Sequence, residues 1–317
     1  MKAAIHLQGL TKSFGRVRAV DGLDLEVPKG SIFGFLGANG AGKTTTLRMI
    51  AGLARPNAGS IEVAGHTIGE GAAYRSRIGY LCQEPAFYGW MSGREVLRYA
   101  AGFHGELGAP ADREIDRLIN LVGLEEAADR RCSEYSGGMR QRLGIGAALI
   151  GRPEVLLLDE PATGLDPIGR RDVLELMEKL RASTTIFYST HILDDVQRVS
   201  DRVAVIDHGK LLLADRTADV LSNYSRNELR IELLGATPET ATRLAAIQGV
   251  RGVAVATQGP ATTTFTVTVE DHCAPAVQTA VTRLAYADGL TVVEARLHAI
   301  DLEEVFLRLV GNQENAA

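Results

Sequence analysis

The stretch Gly37-Ala38-Asn39-Gly40-Ala41-Gly42-Lys43-Thr44 satisfies the pattern GxxxxGK[ST] in full. It stands between an apolar run, Ser31 to Leu36, and a segment from Thr44 to Leu53 that reads as a helix. A strand that ends in a glycine-rich turn and opens a helix presents successive backbone N–H groups, and the positive end of the helix dipole, to a polyphosphate. Glycine is needed there because a Cβ would block the close approach and the turns at φ > 0. Lys43 then reaches the β- and γ-phosphates as a point charge, and the Thr44 hydroxyl is placed to ligate Mg²⁺.

A loop of this kind needs an acid to anchor the metal. Val155-Leu156-Leu157-Leu158-Asp159-Glu160 supplies one at the end of a buried hydrophobic strand. Asp159 reads as the Mg²⁺ anchor. Glu160, a second carboxylate beside a metal-held one, reads as the group that orients and deprotonates an attacking water. Thr185 to Tyr188 is a further apolar strand, followed by Ser189-Thr190-His191. Side chains at strand C-termini in α/β sheets face the ligand crevice, so His191 is expected at the γ-phosphate.

At 317 residues and 45 % hydrophobic, the chain can fill two domains. No apolar stretch approaches the ~20 residues that span a bilayer, and Met1 to Leu10 lacks the apolar core of a signal peptide, so a soluble, cytoplasmic protein is expected. Cys82, Cys132 and Cys273 are scattered and form no CxxC, which points to reduced thiols rather than disulfides or zinc. A net charge of −5 carries no electrostatic footprint for nucleic acid. No lysine follows Lys210, and threonine-rich alternating segments appear after it, which sets a boundary near Ser222 to Asn227. Before that boundary, Ile5 to Phe14 and Val20 to Val27 alternate as antiparallel strands, whereas the apolar runs read as a parallel sheet. After it, the order strand, helix, strand, strand, helix, strand between Leu229 and Leu297 predicts a ferredoxin-like βαββαβ unit.

Tyr135-Ser136-Gly137-Gly138-Met139-Arg140-Gln141-Arg142 precedes the acidic strand and opens a helix. It resembles the signature loop of the ABC-transporter ATPases. Other positions match that family in order: Phe14 at the adenine stack, Gln83 in the Q-loop, Glu160 after the metal-binding Asp159, Gly164-Leu165-Asp166 as the D-loop, and His191 as the switch histidine. The resemblance covers about residues 3 to 220 and is closest to the separate ATPase subunits of bacterial type-2 exporters. Those carry an added C-terminal domain ending in a helix like Leu302 to Leu309. Two positions depart from the pattern: the usual Leu and Gln of the signature are Tyr135 and Met139 here.

The resemblance implies a P-loop α/β ATPase domain over residues 1–222, with a helical subdomain at about 85–150 and an antiparallel β subdomain. A small α+β ferredoxin-like domain over 228–312 follows. It further implies an enzyme that hydrolyses ATP with Mg²⁺ to power export by separate transmembrane permease subunits, working as a homodimer that sandwiches ATP. Such a subunit sits peripherally on the cytoplasmic face of the cell membrane and binds no nucleic acid. In this assignment Glu160, His191, Gln83 and Lys43 are catalytic. Phe14, Gly37, Asn39, Gly40, Ala41, Gly42, Lys43, Thr44, Thr45, Ser136, Gly137, Gly138 and Asp166 bind nucleotide. Thr44, Gln83 and Asp159 serve the metal. The alternative is a soluble ABC-type ATPase or nucleotide-dependent regulator acting on ribosome or nucleic acid; ribosomal members usually carry two fused ATPase domains and basic linkers and DNA-repair members long coiled-coil insertions, and this sequence shows neither.

Three smaller features accompany these. Phe87, Tyr88 and Trp90 follow the Q-loop, and two readings are open: packing inside the helical subdomain, or, by family analogy, the border of a groove for a permease coupling helix. Ser92-Gly93-Arg94-Glu95 is a capping box that starts a helix. Leu302, Val305, Phe306 and Leu309 make one apolar helix face.

Overall fold

The computed structural model describes residues 3–105, 108–224, 228–259, 262–270, 273–297 and 301–314. The chain divides into two compact units, Met1–Ala218 with Phe306–Ala317, and Asp219–Val305. The last three positions of the expected linker, 225–227, lie outside the described residues.

The first unit opens with strands β1 (Ala3–Phe14), β2 (Val17–Pro28) and β3 (Ile32–Leu36), helix α1 (Lys43–Ile50), strands β4 (Ala58–Val63) and β5 (His66–Thr67), a short helix α2 (Ala72–Arg75) and strand β6 (Ile78–Leu81). Helices α3 (Gly93–Phe103), α4 (Ala109–Leu121) and α5 (Gly137–Leu149) follow. After them come β7 (Val155–Asp159), α6 (Pro167–Leu180), β8 (Thr185–Thr190), α7 (Leu193–Val199), β9 (Arg202–Asp207), β10 (Lys210–Arg216) and α8 (Thr217–Tyr224).

One sheet, β2-β1-β4-β5, is antiparallel. Its alternation buries Ile5 and Leu7 on β1 and Leu23, Leu25 and Val27 on β2, one face of a two-faced surface. The second sheet runs β10-β9-β3-β8-β7-β6, parallel from β9 to β6, with β10 antiparallel at its edge. Every residue of β3, β7 and β8 is buried, because both faces of the sheet are covered, one of them by α1 and the antiparallel sheet, whose Ile5, Leu7, Leu23 and Val27 share a core with Phe33, Phe35 and Phe187. Phe187 packs between Phe33 and Phe35 at ring-centroid distances of 5.8 and 5.3 Å. Burying one such ring is worth about 1.5–3 kcal/mol.

Helix α1 stops sooner than Leu53. Gly52 takes φ 72°, the Leu53 N–H reaches the Arg48 carbonyl and the Gly52 N–H reaches that of Met49, which is a Schellman ending. Helix α3 starts where expected: the Ser92 hydroxyl accepts from the Glu95 N–H at 3.2 Å, and the Glu95 carboxylate accepts from the Ser92 N–H at 2.8 Å. Tyr135, one of the two positions that depart from the signature pattern, is a packing residue. Its ring is buried, its hydroxyl donates to the Ala127 carbonyl at 2.7 Å, and a Cβ on Gly93 would stand 2.3 Å from that hydroxyl oxygen.

The second unit contains β11 (Glu228–Leu234), α9 (Pro238–Ala245), β12 (Val250–Gln258), β13 (Thr262–Val269), α10 (Ala274–Ala287) and β14 (Thr291–Leu297); α11 (Leu302–Glu314) follows in the chain. Its sheet is antiparallel in the order β12-β13-β11-β14, the ferredoxin-like arrangement. Phe265, Val267 and Val269 face Leu244 of α9 and Val277 and Val281 of α10 in one apolar core. Thr264, on the other face, is buried as well, which simple one-sided burial does not predict. It sits on an interior strand between Thr257 and Glu232 of the flanking strands. On α11, Leu302 and Val305 are buried and Phe306 and Leu309 are half-buried.

Candidate functional site

Four neighbouring parallel strands, β3-β8-β7-β6, bring their C-terminal ends to one edge of the sheet. The phosphate loop follows β3, His191 follows β8, Glu160 follows β7 and Gln83 lies two residues past β6. Segments far apart in the chain therefore meet at the site that α/β sheets reserve for ligands. Of the expected residues, Asn39, Gly40, Gly42, Lys43, Thr44, Thr45, Gln83, Glu160 and His191 line a cleft of about 530 Å³. Ala19 and Thr163 line it too.

The loop keeps its shape because glycine is required where it is wedged. A Cβ on Gly42, at φ 108°, would lie 2.3 Å from the Ala19 carbonyl, and one on Gly37 would lie 2.5 Å from that of Ile206. Lys43 is only 5 % exposed. Its ammonium donates to the Gly37 and Ala38 carbonyls at 2.7 and 3.2 Å and stands 3.3 Å from Glu160 Oε1. An ammonium folded against its own loop and paired with a buried carboxylate is neutralised in place.

Asp159 is 1 % exposed, and its Oδ1 accepts from the Thr44 hydroxyl at 3.0 Å and from the Ser189 hydroxyl at 2.7 Å. Ser189 Oγ in turn accepts from the Glu160 N–H at 3.0 Å, so one hydroxyl ties both acids to β8. Glu160 adopts φ 50°, a left-handed conformation that costs a non-glycine residue energy and turns its side chain back into the cleft. Its Oε2 accepts from the Thr163 hydroxyl at 2.6 Å and lies 2.7 Å from His191 Nδ1. Burial pushes this carboxyl up, but the Thr163 hydroxyl, the Lys43 charge and His191 together outweigh it and hold the group below its ordinary value. It is a carboxylate at neutral pH, and His191 Nδ1 is then the protonated nitrogen that faces it.

The oxygens of Thr44, Asp159 and Gln83 fit a hard divalent ion. Mg²⁺ takes one or two carboxylates plus hydroxyl, phosphate and water oxygens rather than an all-protein cage.

Several expected residues lie elsewhere. Gly37, Ala41 and Asp159 support the cleft without lining it. Phe14 is 56 % exposed at the end of β1, with the Lys12 ammonium 5.1 Å from its ring centroid, and does not line the cleft. Ser136 caps α5 by accepting from the Met139 N–H at 3.2 Å, and both Ser136 and Gly137 are exposed. Gly138 packs on α6, where a Cβ would lie 3.3 Å from Gly169 Cα. Asp166 caps α6 by accepting from the Gly169 N–H at 3.3 Å. None of these four lines the chain's own cleft. Sequence reasoning missed Thr163 and the bridging role of Ser189. For Thr163 a local signal existed: Glu160-Pro161-Ala162-Thr163 is a tight turn with proline second, which returns the fourth side chain to the first.

The parallel sheet, the wedged phosphate loop and the paired acids define a P-loop nucleoside triphosphatase. The ABC transporter family model matches residues 20–163. The daunorubicin/doxorubicin resistance ATP-binding protein DrrA of Streptomyces peucetius is 42% identical over 232 residues, 73% of this chain and 70% of that protein. The daunorubicin resistance ATP-binding protein DrrA3 of Streptomyces coeruleorubidus is 38% identical over 312 residues, 98% of this chain and 96% of that one. A solved ATP-binding subunit of an ABC transporter superposes with a TM-score of 0.63 at 28% identity, over 70% of this chain and 93% of that one. The chain belongs to the ABC transporter ATP-binding proteins. It binds ATP and hydrolyses it as the ATPase subunit of a transporter.

Proposed function

We propose that two copies of this chain close on two ATP molecules, each held between the phosphate loop of one copy and the Ser136-Gly137-Gly138 tip of the other, and that this cycle drives export through separate permease subunits. The observation that carries the reading is the position of that tip. It opens a helix of 13 residues with exposed Ser136 and Gly137, an arrangement suited to an anion, yet it lines no part of its own cleft. A second copy supplies the missing wall without any new part.

In this reading Lys43 exchanges its carbonyl and Glu160 partners for the β- and γ-phosphates, and Thr44, Asp159 and Gln83 hold Mg²⁺. The ion, when bound, neutralises charge developing on the phosphate oxygens. Glu160 accepts the proton of a water whose oxygen bonds to the γ-phosphorus as the bond to the β,γ-bridging oxygen breaks, leaving ADP and phosphate. His191 contacts the γ-phosphate, Asp166 faces the partner copy, and Phe14 stacks on adenine from the rim. ATP favours the closed pair by its higher affinity for that state, and loss of the γ-phosphate removes the difference.

The surface proposed for the permease is aromatic. Tyr88 and Trp90 are 60 and 68 % exposed and stack at 5.7 Å, and Tyr99 and Phe103 on α3 extend the patch. The exposure of Tyr88 and Trp90 supports the groove reading over packing inside the helical subdomain, whereas Phe87 is half-buried. Beside them Ala86, Phe87, Met91 and Val96 line a groove of about 440 Å³. Among the described residues no helix is long and apolar enough to cross a membrane; in this reading the permease partner holds the chain at the cytoplasmic face. Export rather than import is favoured by the resistance names of the relatives. The test is light scattering of the Glu160→Gln protein with Mg-ATP: a stable dimer is expected, and a protein that stays monomeric with ATP bound rejects the reading.

A further inference from the structure

From the geometry around Glu160 we infer that Thr163 is a positioning residue for hydrolysis: its hydroxyl tethers Glu160 Oε2, so that Oε1 is the oxygen presented to the reacting water. The inference rests on the assignment of Glu160 as the base and adds a residue and an atom to it.

Three groups hold the Glu160 carboxylate: Lys43 at 3.3 Å from Oε1, and Thr163 and His191 at 2.6 and 2.7 Å from Oε2. Two of them have a competing task, since a lysine on a phosphate loop and a histidine at the cleft rim are both drawn to phosphate oxygens once the cleft is filled. Thr163 is neutral and has no such pull. Its place is also set locally. The Thr163 N–H closes a turn onto the Glu160 carbonyl at 3.2 Å, and Pro161 stiffens the second position of that turn. Backbone and side chain of Thr163 thus grip the same residue, whose own N–H is anchored to Ser189. Thr163 also lines the cleft and is half-buried, and Glu160, which it grips, is itself only 5 % exposed.

With Oε2 tied down by a partner that does not leave, the carboxylate loses rotation about its last bond. Oε1, the oxygen beside the Lys43 ammonium, then faces the position the terminal phosphate takes from that ammonium. A tether of this kind acts on the chemical step and leaves ground-state binding unchanged.

Steady-state ATPase of the full chain with Mg-ATP tests this in Thr163→Val, which keeps the shape and removes the hydroxyl, and Thr163→Ser, which keeps the hydroxyl. The expected result is a kcat about 10-fold lower for Thr163→Val with KM for ATP unchanged, and near wild-type rates for Thr163→Ser. In a Glu160→Gln background, Thr163→Val is expected to cause no further loss, because its effect passes through the carboxylate. Wild-type kcat in Thr163→Val overturns the inference, and so does a loss that appears in KM, that Thr163→Ser fails to restore, or that adds to Glu160→Gln. A fully active Glu160→Gln protein would instead reject the base assignment itself and the inference with it.

Discussion

The two units of this chain treat polar groups in opposite ways. In the first, Lys43, Glu114, Asp159, Glu160 and Asp195 are all nearly inaccessible to water. In the second, the buried polar side chains among the described residues are two threonines, Thr240 and Thr264, around an apolar core. Burying a charge is unfavourable unless it is paired, so the first unit must hold a network of partners that the second does not need. A unit organised around such a network is built for chemistry. A unit closed by aliphatic side chains on one sheet face is built for packing, and its charges, such as the Arg296–Glu294 pair at 3.0 Å, remain at the surface.

The largest effect expected from this contrast is on turnover. Glu160→Gln should lower kcat by about 100-fold or more, within the range for losing a general base, while retaining ATP binding by equilibrium dialysis. A comparable loss from any single surface charge of the second unit would break the contrast. Next, Phe265→Ala should destabilise the second unit by about 3–5 kcal/mol and leave ATPase unchanged, seen as one shifted transition in a thermal scan. A parallel fall in ATPase would show the packing unit to be part of the machine.

Acid should separate the units more gently. Burial raises the Glu114 carboxyl, but Arg117, at 2.6 Å, and Arg152, at 3.2 Å, outweigh it and leave the group below its usual value. A carboxylate depressed on folding contributes stability above its unfolded value, and that contribution is lost as pH falls through the folded one. The melting transition of the first unit should therefore drop below about pH 4.5, whereas that of the second should move less. Glu114→Gln should remove about 1–3 kcal/mol at neutral pH and flatten that acid limb. The smallest expected change is Tyr135→Phe, which deletes one neutral hydrogen bond to Ala127 and should reduce stability by about 0.5–1.5 kcal/mol, read as a modest fall in Tm.

Much of the cleft lining was legible in the sequence, for a physical reason that differs by residue. The phosphate loop, the acid pair after β7 and the capping box at Ser92 are contiguous, so spacing alone states their chemistry. The ferredoxin-like order of the second unit was legible because period-two strands and helix stretches alternate cleanly there. The exposure of Tyr88 and Trp90 was not, since an aromatic run reads the same in a core or on a surface. Nor was the absence of Phe14 from the cleft lining.

By itself, then, the sequence determined that a nucleotide-binding strand, turn and helix would form and that an acid pair would end a buried strand, because those properties rest on neighbouring residues. Tertiary structure alone decided which groups meet. Thr44 and Asp159 are 115 positions apart and Ser189 and Asp159 are 30 apart; the second pair meets in the parallel register of β7 and β8, and the first because the loop after β3 starts α1 beside those strands. The strand order places those side chains within a hydrogen bond of one another, and no local pattern encodes that order.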